Sequence, residues 1–87
     1  MASISKPVIV KSKQGLHARP AALFVQVANK FDATINVKKG KQKVNGKSIM
    51  GILMLAAESG SQILIEAEGD DAQQAIDELE KIVTRDE

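Results

Sequence analysis

"ATINVKKGKQKVN", residues 33–45, lies in the middle of an 87-residue chain and decides its class of fold. Ile35 and Val37 alternate with Thr34, Asn36 and Lys38, the period of a strand with one face buried. Lys39-Gly40 supplies a turn, and "KQKVN" returns as the second arm of a hairpin. Strand and helix patterns alternate through the rest of the chain, giving the order β-α-β-β-α-β-α. The hairpin within that alternation implies a single antiparallel or mixed sheet with all helices on one face, a two-layer α+β sandwich.

Toward the N-terminus, "PVIVK" (residues 7–11) reads as a short β-branched strand. "SKQGLHARP" follows, with a turn at Gln14-Gly15. "AALFVQVANKF" then places Ala21, Ala22, Val25 and Ala28 at helical spacing. Pro20 falls in the first turn of this helix, where its missing N–H costs nothing and its fixed φ helps initiation. The helix is expected to fade near Asn29 and Lys30.

Toward the C-terminus, "KSIMGILMLAAESG" reads as a second, short helix with Ser48 as N-cap and Gly60 as its stop. "SQILIEAEG" is a strand with Ile63, Ile65 and Ala67 on one face and Gln62, Glu66 and Glu68 on the other; Leu64 interrupts the polar face. A last helix is capped by Asp70 or Asp71, with Gln73 or Gln74 three positions on, a capping-box pattern. Its buried stripe is Ala72, Ala75, Ile76, Leu79, Ile82 and Val83. Asp77 and Lys81 are set for an i,i+4 pair.

Length and composition narrow the functions. The chain is long enough for one domain, 1–87, and no more. There is no cysteine, and a lone histidine argues against an all-protein zinc site. A net charge of +1 provides no global field toward nucleic acid or anionic membrane. The apolar run "IMGILMLAA" is far too short to span a bilayer. The first residues carry no basic region followed by a long apolar one. A soluble, cytoplasmic protein is expected.

The one histidine, His17, stands in "GLHARP", at the mouth of the first helix. The N–H groups of Ala18, Arg19 and Ala21 lie at a helix start, where unpaired donors and a partial positive charge favour anions. Arg19 adds a permanent charge with a fork suited to phosphate oxygens. Histidine titrates near neutrality, so a ring nitrogen is available as a nucleophile. Together these groups can hold a phosphoryl group on the imidazole, and a phosphoramidate passes that group on readily. Simple anion binding and a plain exposed cap fit the same residues. No acid pair or second histidine supports a hydrolase or a self-sufficient kinase.

Ser48 opens the second helix with Lys47 before it. It reads first as an N-cap. A phosphate there would be favoured by the helix start and by Lys47. The run from Ile49 to Leu55 is too apolar for one buried stripe on so short a helix. Either all of it is core, or Met50 and Leu53 are exposed and form a contact patch.

"GLHARPAALF" and "VNGKSIMGIL" resemble the two signatures of HPr, the histidine-containing phosphocarrier family of the bacterial phosphoenolpyruvate:sugar phosphotransferase system. Ser48 follows His17 by 31 positions (48 − 17), in the family's register. The likeness extends over essentially the whole chain. It implies an open-faced sandwich with a four-stranded antiparallel sheet in order 1-4-2-3 and three helices on one side. It implies a carrier without turnover of its own, needing no cofactor and no metal. His17 would be phosphorylated at Nδ1 by enzyme I and would pass the group to enzyme IIA components. Arg19 and the backbone N–H groups of Ala18 and Arg19 would hold the phosphoryl group. Ser48 would be the regulatory serine of HPr kinase/phosphorylase, and its phosphorylation would favour a catabolite-control transcription factor. Leu16, Ala22, Met50 and Leu53 would form the partner surface of a monomer. The related regulator Crh lacks the active histidine, so His17 argues for sugar transport.

Two other classes stand beside the carrier. Lys38, Lys39, Lys41, Lys43 and Lys47 suggest a small nucleic-acid module, but Phe24 and Phe31 lie in or after a helix and no strand carries a stacking platform. A regulator acting only through Ser48 would need no nucleophile at position 17.

Overall fold

Gly40 turns the central hairpin. In the computed structural model, which describes residues 3–85, Lys39 pairs with Gln42. The loop is therefore Gly40-Lys41, one residue later than expected, with Gly40 at φ +59° in the left-handed region a two-residue turn uses. The elements are β1 (Ser3–Ile9), α1 (Ala18–Ala28), β2 (Thr34–Lys39), β3 (Gln42–Asn45), α2 (Ile49–Leu55), β4 (Gln62–Glu68) and α3 (Ala72–Val83). β4 inserts between β1 and β2, antiparallel to both, and the sheet order is β1-β4-β2-β3. This is the expected 1-4-2-3 sheet with three helices.

One face of the sheet supplies Val8, Ile35, Val37, Ile63, Ile65 and Ala67 to the core. The helices cover that face. α3 buries Ala72, Ala75, Ile76, Leu79, Ile82 and Val83, the stripe its period predicts. α1 buries Ala21, Phe24 and Ala28. Of the residues the spacing picked out, Ala22 faces out and Val25 is only partly buried against the core, while Phe24 is fully buried, its ring removing enough apolar area from water to be worth about 2–3 kcal/mol. The opposite face is mostly polar, interrupted by Leu64, as expected, and by Pro7 and Ile9 on β1. Ser5, Glu66, Asn36 and Asn45 form one row across it, and Lys38 and Lys43 flank Glu66 at 3.8 and 3.7 Å.

Four local expectations change. β1 spans Ser3–Ile9, because its ladder with β4 runs from Ser3 opposite Glu68 to Ile9 opposite Gln62. Val10 lies beyond the ladder, tied by its N–H to Ser61 O at 2.9 Å. α2 ends at Leu55, not at Gly60: Ala56 adopts the left-handed conformation, φ +53°, and closes the helix. Asp71 is the N-cap of α3 without a capping box. Its two carboxylate oxygens accept the backbone N–H groups of Asp32 and Ala33, both at 2.9 Å. Asp77 accepts from Gln73, one turn earlier, at 2.9 Å.

Candidate functional site

The path to His17 is set by two residues before it. The N–H of Gly15 closes a turn onto Ser12 O at 3.0 Å. Gly15 has φ +73°, and a Cβ there would overlap the carbonyl oxygen of Ala57 and reach 3.0 Å from Glu58 Cα. The turn thus lies flat on the α2–β4 connection. Leu16 then donates its N–H to Ala57 O at 2.8 Å, and its side chain is fully buried. This corrects the expectation that Leu16 belongs to a contact surface. It anchors the loop from inside.

His17 is the N-cap of α1, with extended backbone (φ −125°, ψ 165°). Its imidazole makes no capping hydrogen bond and is half-buried. Ala18 follows at φ +47°, a conformation uncommon for a residue with a Cβ and typical of constrained functional turns. Among the described residues, nothing accepts the N–H groups of Ala18 and Arg19. The N–H of Ala21 is not available as the sequence suggested: it turns inward to His17 O at 3.5 Å. Arg19 is exposed and lines clefts with Ser12, Gln14 and Pro20, and with Ile82 and Arg85 at the end of α3. The arrangement is an imidazole that makes no capping bond, followed by two N–H donors with no acceptor among the described residues and by the exposed Arg19 side chain, at the positive end of an eleven-residue helix.

Ser48 caps α2. Its Oγ accepts the N–H of Gly51 at 3.1 Å, and its side chain is half-buried. The Lys47 ammonium, expected to favour a phosphate on Ser48, instead donates to Phe31 O at 2.7 Å. Asn29, at the end of α1, donates to Val25 O at 2.8 Å and Lys47 O at 3.2 Å. The N–H groups of Lys47 and Ser48 bind Asn45 through its Oδ1 (2.8 Å) and its carbonyl (3.2 Å). α1 therefore carries His17 at one end and is fastened beside Ser48 at the other.

α2 buries only Ile52 and Leu55. Met50 is 62% and Leu53 37% exposed, Ile49 41% and Met54 65%. Ala22 is exposed on α1. Ile49 and Met54 were missed in the sequence; the i, i+3 spacing of Ile52 and Leu55 is the signal that would have turned them outward. Gly15 as a packing glycine, and Ala57 beneath it, carried no local signal. Among the described residues no three His, Cys, Asp or Glu side chains gather to hold a metal, and no helix is long and apolar enough to cross a membrane.

Comparison with known proteins bears on the family and the fold. The family model described as the PTS HPr component phosphorylation site matches residues 4–85. The HPr-like protein Crh of Halalkalibacterium halodurans is 54% identical over 76 residues, 87% of this chain and 90% of that one. The crystal structure of the phosphocarrier protein HPr from Bacillus anthracis superposes with a TM-score of 0.92 at 52% identity, covering 95% of this chain and 99% of that one. The crystal structure of Bacillus subtilis Crh, an intertwined dimer with a swapped domain, gives a TM-score of 0.77 at 46% identity over 91% of each chain. The chain belongs to the HPr family, the phosphocarriers of the phosphotransferase system.

Proposed function

We propose that this chain accepts a phosphoryl group on Nδ1 of His17 from phosphorylated enzyme I and passes it to enzyme IIA components. A P–N bond forms at the ring nitrogen as the donor's bond to phosphorus breaks, and the same exchange runs again toward the acceptor. One observation carries the reading: the imidazole leaves capping undone and stands beside the unclaimed N–H groups of Ala18 and Arg19. Those donors and the Arg19 guanidinium meet the charge that develops on the phosphoryl oxygens. The protein is a carrier in the cytoplasm, a single domain over 1–87, without catalytic turnover and without a cofactor.

Partners dock on the exposed apolar side of α2, through Met50 and Leu53, with Ala22 beside the histidine. Leu16 supports this surface and takes no part in contact. Ser48 is the regulatory site, phosphorylated by HPr kinase/phosphorylase, and the modified form engages a catabolite-control transcription factor. The lysine cluster speaks against a nucleic-acid module: Lys38 and Lys43 flank Glu66, and Lys39 and Lys47 bind carbonyl oxygens. The expected monomer stands against the swapped dimer of Bacillus subtilis Crh; sedimentation of the purified chain distinguishes the two.

Incubation with phosphoenolpyruvate and enzyme I, followed by intact mass measurement, tests the reading. The wild type gains one acid-labile phosphoryl group and His17→Ala gains none. No labelling of the wild type by a competent enzyme I would overturn it. The same measurement with ATP and HPr kinase gives acid-stable labelling that Ser48→Ala abolishes; equal labelling of that variant removes Ser48.

A further inference from the structure

The sequence presents Lys39 as one more solvated lysine of a hairpin. In the fold it is half-buried, and its ammonium donates to Ala56 O at 3.1 Å and Leu55 O at 3.4 Å. Gln42, paired with it across the turn, donates from Nε2 to Met54 O at 3.0 Å. Three consecutive carbonyls at the end of α2 are thus held by the β2–β3 hairpin. Helix ends leave such carbonyls without partners and favour a cation, and α2 has no basic residue in its own last turn. The charge comes from another element.

The held segment continues directly into the seat of the active loop. Ala56 is left-handed without being glycine, a conformation that persists only where the surroundings hold it. The next residue, Ala57, accepts the N–H of Leu16 and lies under Gly15. We propose that Lys39 is a positioning residue for His17. By gripping the carbonyls of Leu55 and Ala56 it fixes the backbone of Ala57, and Ala57 fixes the Gly15-Leu16 loop that aims the imidazole. Loss of the Lys39 charge, by substitution or by acylation of its amine, loosens that seat while leaving the docking side of α2 exposed.

The consequence for transfer rests on the carrier reading; the consequence for the loop does not. The test compares Lys39→Met, Lys39→Arg and, as a control on the same turn, exposed Lys41→Met. In hydrogen exchange of the intact chain, Lys39→Met speeds exchange of the Leu16 N–H by about tenfold or more, the equivalent of one lost charge-assisted hydrogen bond. Amides of Ile76 and Leu79 keep their protection. In transfer from enzyme I the loss falls on kcat, with KM little changed. Lys39→Arg restores both readouts and Lys41→Met changes neither.

Unchanged Leu16 exchange in Lys39→Met overturns the proposal, as does a loss spread equally over Leu16 and α3. Faster Leu16 exchange with unchanged kcat removes the role in the reaction. Failure of the wild type to be labelled sinks the carrier reading instead, and the exchange data still decide the grip.

Discussion

Replacing Gly15 with alanine tests the seat of the histidine loop most directly. At φ +73° an alanine is strained by about 1–2 kcal/mol. Its Cβ would also overlap Ala57 O and press on Glu58 Cα, so the loop must lift from the α2–β4 connection. Lifting stretches the 2.8 Å bond from Leu16 N–H to Ala57 O and strands a buried donor, a further loss of about 1–3 kcal/mol. The alanine also restricts the unfolded chain, which offsets about 0.4–1 kcal/mol. The net destabilisation is about 1–4.6 kcal/mol, a sizeable share of the roughly 5–13 kcal/mol expected for a domain this size. At about 4–8 °C per kcal/mol, the midpoint falls by roughly 4–37 °C. Gly40→Ala is the matched control. It has φ +59° and nothing within 4 Å of an added Cβ, so strain alone acts, less the same offset, about 0–1.6 kcal/mol. Urea denaturation of both variants, with equal slopes, measures the difference. If Gly15→Ala is no more destabilising than Gly40→Ala, the close approach to Ala57 does not hold the loop.

Two other substitutions separate fold from function. Asp71→Ala removes both acceptors of the Asp32 and Ala33 N–H groups and is expected to cost about 1–3 kcal/mol in urea denaturation; Asp71→Asn, keeping one oxygen, falls between. Met50→Asp alters a side chain that is 62% exposed, so stability stays within about 0.5 kcal/mol, while the KM for transfer from enzyme I rises several-fold. An unchanged KM would take Met50 out of the docking surface.

The readable parts of this protein are those written as a period. The hairpin shows in Ile35 and Val37 alternating with polar residues. α3 shows in six apolar positions that all turn out buried. His17 at a helix start shows in the proline three residues on. What stays hidden depends on contacts across the chain. Leu16 sits between a glycine and a histidine in a loop, where exposure is the local expectation; Ala57, 41 positions away (57 − 16), takes its N–H and the core takes its side chain. Asp71 has the spacing of a capping box, yet two N–H groups of the α1–β2 loop compete for its carboxylate and win. Lys39 and Lys47 sit in a charge cluster, and only the fold brings carbonyls of Leu55, Ala56 and Phe31 to them. A side chain meeting a distant backbone group leaves no periodic trace.

Those long-range bonds also explain how α2 can face water with so much apolar surface. A seven-residue helix is far below the length that stands alone in water. Most helices of a small domain secure themselves by burying an apolar stripe, and α2 buries only Ile52 and Leu55. Its remaining support comes from its ends. Ser48 Oγ holds the N–H of Gly51, Asn29 holds Lys47 O, and Lys39 and Gln42 hold the carbonyls of Met54, Leu55 and Ala56. Each such bond contributes about 0.5–1.5 kcal/mol, more where the ammonium takes part. A helix fastened at both ends by polar bonds does not need its outer side for stability. Ile49, Met50, Leu53 and Met54 are therefore available to a partner, and the same bonds that release them keep their backbone in a fixed place.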